Sequence, residues 1–396
     1  MSKRDDRLAR RDFLKRSASL GAAAAAAGLA RQAMATVAPT SRRADEAPPA
    51  DAVGKPDVER RNERSGLRYS RLGRTGFLVS ALSFGGYKLS GKTRPAFDAA
   101  VGSGVNFIMA HAGACTQTLG EWFAKDKARR GRIFLGLAGG PKGIDAELKA
   151  MGTDCVDLLM VGIHDPKAVG NENVRSHFEA LRKAGKARFL CLVFHNHVPA
   201  VWQAGVKAGW YDVLLPTYNF ASRADLKDLI PQARSQDIGL LAMKASRGLG
   251  AGKAKGVDFV SASKTFLADG IDSILRTIET PTQLDQIIRL ARRDDATAAA
   301  EAEQIDVTGQ CALCGACEPC PAGVAIQDIL RTWQYYAKDL ECMDEAYRQY
   351  AAIPTARLAA ACTDCGQCEA HCPRALSVRR LIREAQTELE LEMARR

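Results

Sequence analysis

From Leu78 onward, short apolar runs alternate with stretches whose apolar residues recur at every third or fourth position. The runs are Leu78–Phe84, Val105–Ala110, Ile133–Ala138, Val156–Val161, Phe189–Phe194, Val213–Thr217, Leu240–Met243 and Ser273–Ile278. Their length and content predict buried strands. Helices are expected between them, over Pro95–Ser103, Leu119–Arg130, Asn173–Ala184, Pro199–Ala208, Arg223–Gln236 and Pro281–Arg292. Eight strands spaced by helices predict an α/β fold, a closed parallel (β/α)8 or TIM barrel over residues 66–298, and about 230 residues is near the usual size for one.

The pattern changes beyond residue 298. No period-two alternation is seen from Val324 to Ala360, while Ile326, Ile329, Leu330, Trp333 and Tyr336 fall on one helical face. Residues 299–396 are therefore expected as a small helical domain. Before the barrel, residues 36–65 carry Pro39, Pro48, Pro49 and Pro56 and almost no large apolar side chain, the composition of a disordered linker.

Residues 1–35 differ again. Arg10-Arg11-Asp12-Phe13-Leu14-Lys15 precedes an Ala- and Gly-rich stretch, Ser17 to Ala30, and a small-x-small site at Ala33-Met34-Ala35. These are the parts of a twin-arginine export signal; a basic amphipathic helix or a plain tail is the alternative. The apolar middle is too short and too weakly apolar to span a bilayer. The expectation is an exported, periplasmic protein handed to the twin-arginine translocation machinery, with no stable membrane span. The chain's net charge of +11 owes much to this segment, which has eight Lys and Arg against three Asp and Glu. No basic run interleaved with aromatics follows it, so a nucleic-acid partner is not expected.

Eight of the 12 cysteines lie in two runs, Cys311, Cys314, Cys317, Cys320-Pro321 and Cys362, Cys365, Cys368, Cys372-Pro373. Two-residue spacers turn three thiolates toward one point, and a cysteine followed by proline ends each run, which suits [4Fe-4S] clusters. Paired disulfides and four-cysteine zinc sites compete, although zinc knuckles are usually a dozen or more residues apart. Both runs resemble the bacterial ferredoxin motif, in which the last cysteine of one run ligates the cluster of the other. The resemblance implies two clusters, one on Cys311, Cys314, Cys317 and Cys372, the other on Cys362, Cys365, Cys368 and Cys320. The first run departs from the second in having two residues, not three, before its last cysteine. Cys342, Cys115, Cys155 and Cys191 have no partner in spacing and are expected as buried thiols.

The barrel also carries a resemblance. Tyr69-Ser70-Arg71-Leu72-Gly73-Arg74-Thr75-Gly76, Val79-Ser80 and Gly85-Gly86, followed by Gly104-Val105-Asn106-Phe107-Ile108, Leu119-Gly120, Val156-Asp157-Leu158-Leu159, Lys186-Ala187-Arg188-Phe189 and Tyr218-Asn219, resemble the aldo-keto reductases. Some relatives of that family also carry a C-terminal iron–sulfur module. The family's catalytic groups do not carry over. Its strand-2 aspartate falls at Met109, its tyrosine acid near Ala114 and its lysine at or near Ala138. The side chains that hold the nicotinamide amide fall at Val193, Phe194 and Leu215, which cannot hydrogen-bond it. Glu279 stands where a phosphate would lie. These departures argue against NADP(H).

Histidines occupy the strand ends instead. His111 follows the second strand, His164 the fourth, and His195 and His197 the fifth, on the face where such barrels carry active sites. Tyr87 and Lys88 follow the first strand and Lys244 the seventh. Three uses compete for this rim: an idle polar edge, an acid/base site with His164, His111, His195 and Tyr87 catalytic and Lys244 binding a cofactor, or a metal or haem ligand set. The function expected is an exported oxidoreductase passing electrons through two [4Fe-4S] clusters to or from a small-molecule substrate or redox partner protein at the barrel mouth. The alternatives are an electron-transfer subunit whose barrel is a scaffold, or an NADPH-dependent reductase.

Overall fold

The computed structural model describes residues 57–139, 143–247, 249, 257–300, 305–340 and 342–395. The segment expected as an export signal lies outside them, as does most of the linker. Lys55–Arg396 forms one compact unit, so barrel and helical domain pack as a single body.

Eight parallel strands close the barrel: β3 (Leu82–Gly86), β4 (Phe107–His111), β5 (Phe134–Ala138), β6 (Val156–Gly162), β7 (Ala187–Phe194), β8 (Val213–Pro216), β9 (Gly239–Ala242) and β10 (Ser273–Thr277), with β10 paired to β3. Each lies within one of the eight apolar runs or overlaps it. The first run is divided: Leu78–Ser80 is β2, which pairs antiparallel with β1 (Tyr69–Arg71), and the barrel strand starts after Ala81. The hairpin forms the floor. Its Leu72, Phe77 and Val79 join inward residues such as Phe107, Met109 and Leu215 in the barrel interior, and Phe77 stacks on Phe134 with ring centres 4.3 Å apart. The alternate positions, Ile108 and Ala110 among them, face the outer helices, as a strand's period of two requires.

Part of the expected linker is not loose. Glu59 pairs its backbone with Gly76 and Leu78 at 2.9 Å, and Arg61 reaches Asp157 at 3.1 Å. Asp157, only 1% exposed, also holds Arg130 at 2.9 Å and Arg188 at 2.8 Å. Residues 59–64 are therefore strapped to the floor by charges that their composition left without visible partners.

Helices Ile144–Met151 and Phe259–Asp269 are present in addition to the expected ones. Among the described residues, the regular structure of the C-terminal part is helical, with loops carrying the cysteine runs. Ile326–Arg331 runs into wider, π-helical turns over Thr332–Asp339, followed by Met343–Ala351 and the long Val378–Arg395. Ile326, Ile329 and Leu330 are buried, as their spacing predicts, whereas Trp333 and Tyr336 are only partly so.

This helical part caps the C-terminal mouth of the barrel. Leu313 O accepts from Val198 N at 3.0 Å, and Asp328 accepts from Asn196 at 2.8 Å. Lys244 donates to the Tyr336 hydroxyl at 2.7 Å, Arg247 to Gln334 at 2.6 Å, and Tyr87 to Glu345 at 3.1 Å. Groups following β3, β7 and β9 thus hold the cap. Among the described residues no helix is long and apolar enough to cross a membrane.

Candidate functional site

The two cysteine runs fold as the same loop twice. Leu313 and Asp364, at matching positions, are left-handed with φ of 57° each, and the glycines after the next cysteine, Gly315 and Gly366, have φ of 89° and 74°. In each loop the left-handed residue donates its N–H to the first cysteine, Leu313 to Cys311 Sγ and Asp364 to Cys362 Sγ, both at 3.4 Å. Such N–H···S bonds favour a thiolate.

The runs then exchange their last cysteines. One cavity is lined by Cys311, Cys314, Cys317 and Cys372 together with Leu330 and Val378. A second is lined by Cys320, Cys362, Cys365 and Cys368 with Val324 and Ile382. Ile326 lines both. The first is the inner cavity, above the barrel mouth. The second is the outer one, where Cys365 is exposed.

All twelve cysteines are free, which removes the disulfide reading. Among the described residues no three of His, Cys, Asp or Glu close on a single metal ion. A cubane needs a wider set, because its four thiolates bind four different irons. Four sulfurs around an apolar hollow in each run-pair fit a [4Fe-4S] cluster. Burial pushes the thiols of Cys311, Cys314, Cys317 and Cys368 above the ordinary thiol range, so thiolates there require a cationic partner, which iron would be. Cys342 lies outside both cavities and is only partly buried, its sulfur 3.9 Å from Lys88 Nζ.

The mouth lies directly beneath the inner cavity. The His197 ring packs against Gly315, between Cys314 and Cys317, and its Nε2 lies 3.0 Å from both Glu318 and Gln327. His197 therefore belongs to the cap contact rather than to the rim. The structure does bring His164 and His195 together, their rings stacked with centres 5.3 Å apart, and His164 Nδ1 accepts from His195 N at 3.1 Å. His195 Nδ1 is buried and has no partner among the described residues. Burial, then the Lys244 and Arg331 cations, pushes the His195 imidazole well below its usual range. Burial lowers His111 too, and its ring meets Tyr87 edge-on at 5.0 Å. His164 keeps an open outer edge at the rim, but the protein around it and the Arg331 cation also lower its pKa.

Lys244 is 8% exposed and holds a left-handed backbone, φ 56°, at the end of the seventh barrel strand. Its ammonium lies 4.3 Å from the ring centres of Tyr335 and Tyr336 while donating to the Tyr336 hydroxyl. Burial first, then Arg331, depresses Lys244, and burial raises the Tyr336 phenol. The lysine expected to bind a cofactor is thus engaged by the cap. Tyr87, expected at the rim, is engaged by Glu345.

Met109 and Leu215 fill the barrel interior, Phe194 packs against Trp202, Ala138 ends β5 and Ala114 starts a helix. None can donate or accept through its side chain. Sequence reasoning missed Arg247, Arg331, Gln334 and Glu345. A charged residue three places after Lys244 and a glutamine within an apolar helical stripe were the available signals.

Residues 310–376 match the family described as the 4Fe-4S dicluster domain. No curated protein matches the chain. Among solved structures, an aldo-keto reductase from Pseudomonas aeruginosa is 22% identical, with a TM-score of 0.47 over 56% of this chain and 93% of that one. Aldo-keto reductase AKR11C1 from Bacillus halodurans, in its holo form, is 17% identical, with a TM-score of 0.51 over 60% of this chain and 94% of that one. The chain joins a parallel barrel with the fold of the aldo-keto reductases to a C-terminal 4Fe-4S domain.

Proposed function

We propose that this protein is an exported iron–sulfur oxidoreductase. It passes electrons through two [4Fe-4S] clusters to or from a small molecule or redox partner at the barrel mouth. The observation that carries the reading is the pair of four-cysteine cavities, the outer one at the surface and the inner one resting on the mouth. Clusters bound there supply one-electron steps; the chain's own residues do the rest. Apolar walls at Ile326, Leu330 and Val378 keep water from the sulfurs. Tyr336, bonded to Lys244, and the uncharged His195 can move protons when charge changes nearby.

The scaffold alternative draws support from Tyr336 and Glu345, which lie across the mouth and narrow access for a substrate. The nicotinamide alternative has the apolar Val193, Phe194 and Leu215 against it, and Lys244 already occupied.

The test is made on anaerobically purified full-length protein. It should be brown, contain about eight irons per chain, bleach with dithionite, and show no saturable quenching of Trp fluorescence by NADPH. A colourless, zinc-containing protein overturns the cluster reading, and micromolar NADPH binding restores the nicotinamide-dependent alternative.

A further inference from the structure

Arg247 is 1% exposed, and its only side-chain hydrogen bond among the described residues runs from Nη2 to Gln334 Oε1, at 2.6 Å. Its Nε and Nη1 are buried and have no partner among the described residues. The same Gln334 oxygen accepts from Cys311 N at 2.9 Å, so one amide links the guanidinium to the first cysteine of the inner cavity. Gln310, beside Cys311 and 3% exposed, has both side-chain polar atoms unpaired as well.

A buried guanidinium with its Nε and Nη1 unpaired is costly unless an anion faces it. Of the ionisable groups that act on Arg247, Cys311 is foremost, with Asp339 and Tyr335 behind it and Arg331 opposing. A [4Fe-4S] cluster on four thiolates is an anion of about −2 when oxidised and −3 when reduced. A cation beside it favours the more negative state and raises the potential. Among the described residues the outer cavity has no fully buried cation beside it: Arg383, which acts on Cys362, is 51% exposed. Arg379, which lines that cavity, is bonded to Glu369 at 2.8 Å and is open to solvent, where its charge is screened.

We propose that Arg247 is the compensating cation of the inner cluster and sets that cluster above the outer one in reduction potential. An electron entering on the surface side then comes to rest next to the barrel mouth. The inference rests on the cluster reading and adds a direction to it.

The test is a potentiometric titration of the full-length, anaerobically purified protein, followed by electron paramagnetic resonance. It compares the unmutated chain with Arg247→Gln and Arg247→Lys. Two one-electron waves are expected. Arg247→Gln should lower the higher wave by about ten-fold in equilibrium constant, 59 mV for a one-electron couple, while the other wave stays and iron remains at about eight per chain. Arg247→Lys, which keeps the charge, should move the same wave by less than half as much. If Arg247→Gln sheds iron, Gln334→Glu makes the same demand, since a carboxylate against the guanidinium must lower that wave too. Unmoved waves at full iron content overturn the role of Arg247 and leave the clusters standing, as does an equal shift in the Lys and Gln variants. An unmutated chain without iron overturns both.

Discussion

Replacing Gly315 by alanine tests whether cap and barrel depend on each other through one close contact. A Cβ at Gly315 would lie 2.2 Å from His197 Nδ1 and 2.9 Å from its Cγ, at a backbone φ of 89°. Two costs follow. Holding alanine in the left-handed region costs about 1–2 kcal/mol. Displacing the imidazole breaks its contacts with Glu318 and Gln327, each worth about 1 kcal/mol, so Gly315→Ala should destabilise by about 3–4 kcal/mol. Gly366 is the control, since it has the same place in the second loop and a φ of 74°, but nothing within 4 Å of a Cβ. Gly366→Ala should cost only the backbone term, about 1–2 kcal/mol. Anaerobic urea unfolding of both variants, repeated in a His197→Ala background, closes a double-mutant cycle. Without the imidazole, Gly315→Ala should fall to the cost of Gly366→Ala. An equal cost for the two glycines in the unmutated background, or an undiminished cost for Gly315→Ala after His197 is removed, would refute the reasoning.

The cysteine exchange predicts that Cys320→Ser disturbs the outer cluster although it lies in the first run, and Cys372→Ser the inner one although it lies in the second; each should leave about four irons, counted by chemical analysis and told apart by paramagnetic resonance. Asp157→Ala strands Arg61, Arg130 and Arg188 at the barrel floor and should cost about 3–5 kcal/mol in urea unfolding. Burial raises the Asp157 pKa, but Arg130, Arg61 and Arg188 outweigh it and hold the carboxyl below its usual value. Its contribution is therefore present above the carboxylate's unfolded pKa and lost as pH falls through the folded one, a dependence the Ala variant should lack. Replacing Arg10 and Arg11 by lysine should leave precursor in the cytoplasm on cell fractionation; mature protein outside would refute the export proposal.

Short apolar runs set between helical stretches made the barrel legible because that pattern is local. Which side each residue takes was not legible, since Phe107 and Met109, which face in, and Ile108 and Ala110, which face out, are all apolar. The split at Ala81 was not legible, because a floor strand and a barrel strand are equally apolar. The Phe259–Asp269 helix was hidden by Lys264, which reads as solvated but is 8% exposed and paired with Asp295 at 2.7 Å. The cysteine runs announced cluster chemistry through their spacing alone. What they could not announce was the seat of the cap. Lys244 to Tyr336 and Arg247 to Gln334 span about ninety residues, and such pairings arise from docking two finished surfaces. His164 and His195 stack because they follow neighbouring strands, whereas His197, two positions further on, turns toward the cap.

The exchange of final cysteines also sets an order for biosynthesis. The outer hollow has its full complement of sulfur only once synthesis has passed Cys368, and the inner only once it has passed Cys372, both well after the first run ends at Cys320. The barrel can close on the ribosome while the metal sites cannot, so a fragment ending between the two runs would carry half-built nests for both cofactors. Maturation is thereby reserved for a polypeptide that carries both runs.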